Sequence, residues 1–104
     1  MKTKEKNEIY LAARNLWGIN TQLVMVMEEC AELQHAVSKQ IRGSKEASIE
    51  KIAEEIADVE IMIEQVKYLW SLNYQVGKIK NEKLARLKTR VEAAIILSEA
   101  EEKA

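Results

Sequence analysis

The sequence predicts an all-α fold, a four-helix bundle, and three observations predict it. Its 104 residues contain no proline, no phenylalanine and only three glycines, which suits long helices and lacks the turn punctuation of an all-β domain. Apolar residues recur at helical spacing through four successive segments. Hydrophobic residues make up 47% and charged residues 32%, a balance that excludes a disordered chain and fits one small core. A single domain over residues 1–104 follows, without internal repeat, low-complexity segment or long linker.

The first helix is expected over Lys4 to Trp17, with Ile9, Ala12, Ala13 and Leu16 as its apolar side. Gly18-Ile19-Asn20-Thr21 breaks it, since glycine and asparagine suit the left-handed conformation of a helix end. Asn20 or Thr21 then caps a second helix that runs to about Ile41. Its stripe is Leu23, Val26, Met27, Cys30, Leu33, Val37 and Ile41. Arg42-Gly43-Ser44 is the next turn. The third helix has the cleanest period, Ile49, Ile52, Ile56, Val59, Ile63 and Val66, and fades at Trp70 to Asn73. The fourth runs to about Glu99 along a seam of Leu84, Leu87, Val91, Ala94 and Ile95. A bundle this short buries a modest core, and Ala93-Ala94-Ile95-Ile96-Leu97 is apolar around nearly the whole helix. A homo-oligomer, dimer or tetramer, is therefore expected to complete the fold.

No apolar run approaches the ~18 residues of a membrane span, and no apolar segment follows the N-terminal Met-Lys-Thr-Lys-Glu-Lys as in a signal peptide. The expected location is cytoplasmic, with no membrane partner. Cys30 is the only cysteine, which excludes an internal disulfide and a cysteine-based zinc cage. The net charge of −1 conceals an imbalance. Ten acidic residues stand against four basic ones between Glu28 and Glu64, and six basic residues against Glu82 alone between Lys78 and Arg90. The acidic stretch would repel a nucleic-acid backbone, so no polymer partner is expected. Carboxylates that hold a metal, beside basic groups that hold phosphates, account for the segregation better.

The informative acids are Glu28, Glu29 and Glu32 on the second helix and Glu54, Glu55 and Asp58 on the third. Glu29 and Glu32 share one side of their helix, as do Glu55 and Asp58, and each pair borders an apolar stripe. Acids so placed on consecutive antiparallel helices face each other. They cannot all remain ionised unless something positive lies between them. A hard divalent cation with an oxygen shell is the natural solution. A lone ExxE carries little weight, because such pairs commonly decorate solvated faces. The doubled pattern, EExxE followed by EExxD, is what singles out this segment.

These residues, with Trp17-Gly18 and Gln22 before them, resemble the MazG-type all-α nucleoside triphosphate pyrophosphohydrolases. The mark of that superfamily is EExxE, a variable spacer and ExxD, and here 22 residues separate Glu32 from Glu55. Asn81, Lys83, Arg86 and Arg90 are similar to the Asn/Lys/Arg-bearing last helix of these enzymes. The resemblance spans Trp17 to Arg90 and implies a MazG-like bundle. It implies Mg²⁺, with Mn²⁺ as a substitute, held by Glu29, Glu32, Glu55 and Asp58, and Glu28 as an accessory acid that assists a second metal or orients water. It implies a nucleotide substrate cleaved between the α- and β-phosphates, for nucleotide-pool housecleaning. Lys83, Arg86, Arg90 and Asn81 would hold the phosphates, and Trp17 and Gln22 the base. The alternatives are a phosphoribosyl-ATP pyrophosphohydrolase, which carries a related acidic pattern, and a non-catalytic helical interaction protein.

His35 follows Glu32 by one turn and completes a Glu-x-x-His string of the ferritin-like di-iron kind. The third helix lacks a second copy, so an exposed or interface histidine is expected. Cys30 is expected in the core, as a large aromatic near a helix end, such as Trp70, usually is.

Overall fold

A computed structural model describes residues 1–104 and contains four helices and no strand. They are α1 (Thr3–Trp17), α2 (Ile19–Arg42), α3 (Ile49–Leu69) and α4 (Asn73–Lys103). None is long and apolar enough to cross a membrane. The chain divides into two units, Met1–Ser71 and Leu72–Ala104.

The connections are shorter than the sequence suggests. Gly18 alone separates α1 from α2, at φ 86° and ψ 154°, a backbone conformation open to glycine and costly for other residues. Its N–H donates to the Arg14 carbonyl at 2.8 Å. Asn20 and Thr21 therefore lie inside α2 and cap nothing. Gly43 ends α2 as expected, in the left-handed region at φ 66°, while the Ser44 N–H donates to the Lys39 carbonyl. Ser48 starts α3, its hydroxyl accepting from the Lys51 N–H at 3.0 Å.

In the first unit α2 and α3 form an antiparallel hairpin. Gln22 meets Gln65 near one end, and Glu29 and Glu32 meet Asp58 and Glu55 further along. The buried apolar side chains are Tyr10, Ala36, Val59 and Met62. Tyr10 anchors α1. Its hydroxyl donates to Glu64 at 2.8 Å, its ring lies 6.5 Å from that of Tyr68, and burial with the Glu64 contact pushes its phenol up to about 12. The expected apolar side of α1 is corrected accordingly, since Ile9 and Leu16 are exposed.

The inward faces of α2 and α3 also differ from the expected stripes. Gln22, Glu29 and Ala36 point inward on α2, and Glu55, Val59, Met62 and Gln65 on α3. Cys30, Met27, Val37 and Ile41 are exposed, as are Ile49, Ile56, Ile63 and Trp70. The stripes are broader than one contact, so polar residues at their rim took the centre. At about 100° per residue, Met27, Cys30, Val37 and Ile41 lie on one flank of Glu29, and exposed Val24 lies behind the helix. Ile49, Ile56, Ile63 and Trp70 lie on the corresponding flank of Glu55, and exposed Ile61 lies on the other side. In an antiparallel pair equal rotations bring both flanks to the same side, which makes one continuous apolar face. Glu32, Lys39, Lys51 and Asp58 fall on the other side.

The second unit is the single helix α4. It continues unbroken through Gly77, and none of its residues is buried. Its seam of Leu84, Leu87, Val91 and Ile95 is exposed, and so are Ile96 and Leu97.

Candidate metal centre

Four carboxylates converge between α2 and α3. One oxygen from each of Glu29, Glu32, Glu55 and Asp58 lies within 4.8 Å of the others. Opposite oxygens in a six-coordinate Mg²⁺ shell stand about 4.2 Å apart. Adjacent oxygens in that shell stand about 3 Å apart, so the four side chains would draw together to hold such an ion. The i, i+3 spacing within each helix and the antiparallel register between them produce this convergence from two separate sequence segments.

Glu32 and Asp58 are exposed and Glu29 is half-buried, while the burial of Glu55 sets the cluster apart from a wholly solvated acidic face. Glu55 is 3% exposed. Its Oε1 accepts from Lys51 Nζ at 2.9 Å, while its Oε2 is buried without a hydrogen-bond partner. Glu29 Oε2 is likewise buried and unpartnered. A buried acceptor without a partner costs on the order of 1–3 kcal/mol, more when charged. The electrostatics divide the pair. Desolvation, followed by the charges of Glu32, Asp58, Glu55 and Glu28, raises the Glu29 carboxyl above its ordinary value. The Lys51 hydrogen bond holds Glu55 below its own, and Glu55 in turn raises Lys51. Glu29 is therefore the member most prone to keep a proton, and a cation is what would release it.

The remaining predicted residues are placed as follows. Glu28 is exposed, outside the four, and its charge reaches Glu29. Trp17 is exposed at the end of α1. Gln22 is 4% exposed, and its Oε1 accepts from the buried Gln65 amide at 2.7 Å. Asn81, Lys83, Arg86 and Arg90 are exposed on α4 in the second unit.

A cavity of about 550 Å³ adjoins the acidic cluster and shares Glu32 and Glu55 with it. His35, Lys39 and Lys51 also line it. Of these, only His35 stands out in the sequence, where it is expected to be exposed, and it is. The available signal was positional: Lys39 follows His35 by one turn on the flank of Glu32, and Lys51 precedes Glu55 by one turn. No protein-family model matches the chain, and no curated protein or solved structure matches it. The family resemblance therefore rests on the residues of the motif.

Proposed function

We propose that this protein is a Mg²⁺-dependent nucleoside triphosphate pyrophosphohydrolase that cleaves between the α- and β-phosphates, giving a nucleoside monophosphate and pyrophosphate. The observation that carries the reading is the pair of buried, unpartnered oxygens on Glu29 and Glu55, at the centre of four converging carboxylates. A cation held between Glu29 and Glu55 would satisfy both oxygens at once.

In this reading Glu29, Glu32, Glu55 and Asp58 are the ligands. Bound Mg²⁺ supplies Lewis-acid polarisation of the phosphate oxygens and lowers the pKa of water. Glu28, exposed beside Glu29, orients the attacking water and accepts its proton. Lys51 neutralises Glu55 and keeps a positive charge at the mouth of the site. The resemblance assigns further phosphate contacts to Asn81, Lys83, Arg86 and Arg90 and a base contact to Trp17. The role in this reading is cytoplasmic housecleaning of the nucleotide pool. Assembly as a homo-oligomer belongs to the same proposal, supported by the exposed apolar face of α2 and α3.

A panel of nucleoside triphosphates, assayed for pyrophosphate release with and without Mg²⁺, tests it. Metal-dependent release is expected for at least one nucleotide, and Asp58→Asn should abolish it while leaving the helical circular dichroism intact. Full turnover by Asp58→Asn, or no release from any nucleotide, overturns the proposal.

A further inference from the structure

The cavity beside the carboxylates brings Lys39, Lys51 and His35 up against three acids, Glu32, Glu46 and Glu55. It lies between the C-terminal half of α2 and the start of α3, and its floor is kept open by the small side chains of Ala31, Ala36 and Ala47. Its volume of about 550 Å³ falls in the range of small-molecule sites, about 300–1,000 Å³. Ser48, the cap of α3, lines it as well, so the positive end of a 21-residue helix faces the space.

An anion already sits on its basic wall. Lys39 Nζ and Glu46 Oε2 are 2.9 Å apart, and their side chains are 27% and 76% exposed. The lysine is the fixed partner. The glutamate is the tethered one, carried on the turn between α2 and α3, where its N–H donates to the Ser44 hydroxyl at 3.2 Å. Lys39, and more weakly His35, hold the Glu46 carboxyl below its usual range. A carboxylate thus marks where negative charge is welcome, in a space much larger than one carboxylate fills. Lys51 is engaged with Glu55 and Lys39 with Glu46, so a ligand meets His35 and, once Glu46 leaves, Lys39.

We propose that this cavity is the subsite for the terminal phosphate of a phosphoanhydride tail, held by Lys39 and His35, and that Glu46 is a built-in competitor that leaves Lys39 when the tail enters. This assignment rests on the reading of Glu29, Glu32, Glu55 and Asp58 as a metal centre for nucleotide phosphates. A tail whose inner phosphates face the carboxylates extends directly into the cavity, because Glu32 and Glu55 belong to both. A terminal phosphate brings more charge and more acceptor oxygens than one carboxylate, so it displaces Glu46 from the lysine.

Calorimetric titration with inorganic pyrophosphate in the presence of Mg²⁺ tests the assignment, with Mn²⁺ titrated alone as the second measurement. Lys39→Ala should weaken pyrophosphate binding by about tenfold or more, the scale of one lost charge-assisted hydrogen bond. Glu46→Gln should tighten it by about threefold, the scale of an exposed ion pair. In the double variant the Glu46→Gln gain should vanish, because Glu46 acts through Lys39. Neither substitution should change Mn²⁺ affinity, which separates the subsite from the metal centre. Pyrophosphate binding unchanged in Lys39→Ala, or not tightened in Glu46→Gln, overturns the proposal while intact Mn²⁺ binding leaves the metal centre standing. Loss of Mn²⁺ binding in the unsubstituted protein overturns both.

Discussion

Among single residues, Glu29 shows most directly what the cluster costs without a cation. Its carboxyl is raised, first by desolvation and then by the surrounding carboxylates, so the folded state holds its proton more tightly than the unfolded chain does. Below its ordinary value of 4.5 both states are protonated and the residue is neutral toward stability. As the pH rises through the raised value, the folded state must accept a charge it disfavours, and stability falls. Glu29→Gln removes that charge. In metal-free protein the variant should melt higher than the parent at neutral pH, with the difference closing as the pH drops to about 4. Saturating Mn²⁺ should reverse the order, since the parent alone then gains the full ligand stabilisation. Thermal melts followed by circular dichroism decide this, and a variant that melts lower at neutral pH without metal would refute the electrostatic account. The four acids were legible in the sequence because i, i+3 spacing is a local property. The burial of Glu55 and the pairing of Gln22 with Gln65 were not, because they depend on which part of a broad stripe meets its neighbour.

At the scale of elements, periodicity predicted all four helices, and the structure moves their ends by only a few residues. The largest difference is the junction at Gly18, where the polar residues Asn20 and Thr21 read as caps but one glycine makes the whole turn. The start of α3 is a case in which local chemistry decides. Ser48 accepts from the Lys51 N–H, and Glu50 lies in the first turn, where it complements the helix dipole. Lys51 and Glu55, one and two turns further on, take their positions from that start. Ser48→Ala should therefore cost about 1 kcal/mol of stability, the ordinary value of a lost cap, measured by urea unfolding. Frayed first-turn geometry should also loosen Lys51 from Glu55, so Mn²⁺ affinity should shift in the same variant. Ser48→Asp, an equally good cap, should restore the stability. Unchanged stability in Ser48→Ala would show that packing alone fixes the helix start.

At the scale of the whole molecule, the distribution of apolar side chains calls for a partner. Only Tyr10, Ala36, Val59 and Met62 are buried among apolar residues, while Met27 is 71% and Ile41 81% exposed. The sequence periodicity identified most of these apolar positions correctly as a helical stripe, but it could not say whether the stripe meets the same chain or another. On α2 and α3 the exposed part is continuous and lies on the side away from Glu32, Lys39 and Asp58, so a second copy can cover it without obstructing the acidic cluster. An isologous contact of two such hairpins would bury Ile56 near its middle, since Ile49 and Ile63 flank it by two turns each way. A glutamate there would be removed from water without a counter-charge, at a cost of several kcal/mol, roughly. The unsubstituted chain should sediment as at least a dimer of its 11.9 kDa subunit, and Ile56→Glu should sediment as a folded monomer or unfold at low concentration. Leu97→Glu separates this face from the apolar end of α4: it should leave the mass unchanged if the α2–α3 face alone holds the copies together. A monomeric parent chain, or an unchanged mass in Ile56→Glu with helicity retained, would mean that this face is not where the copies meet.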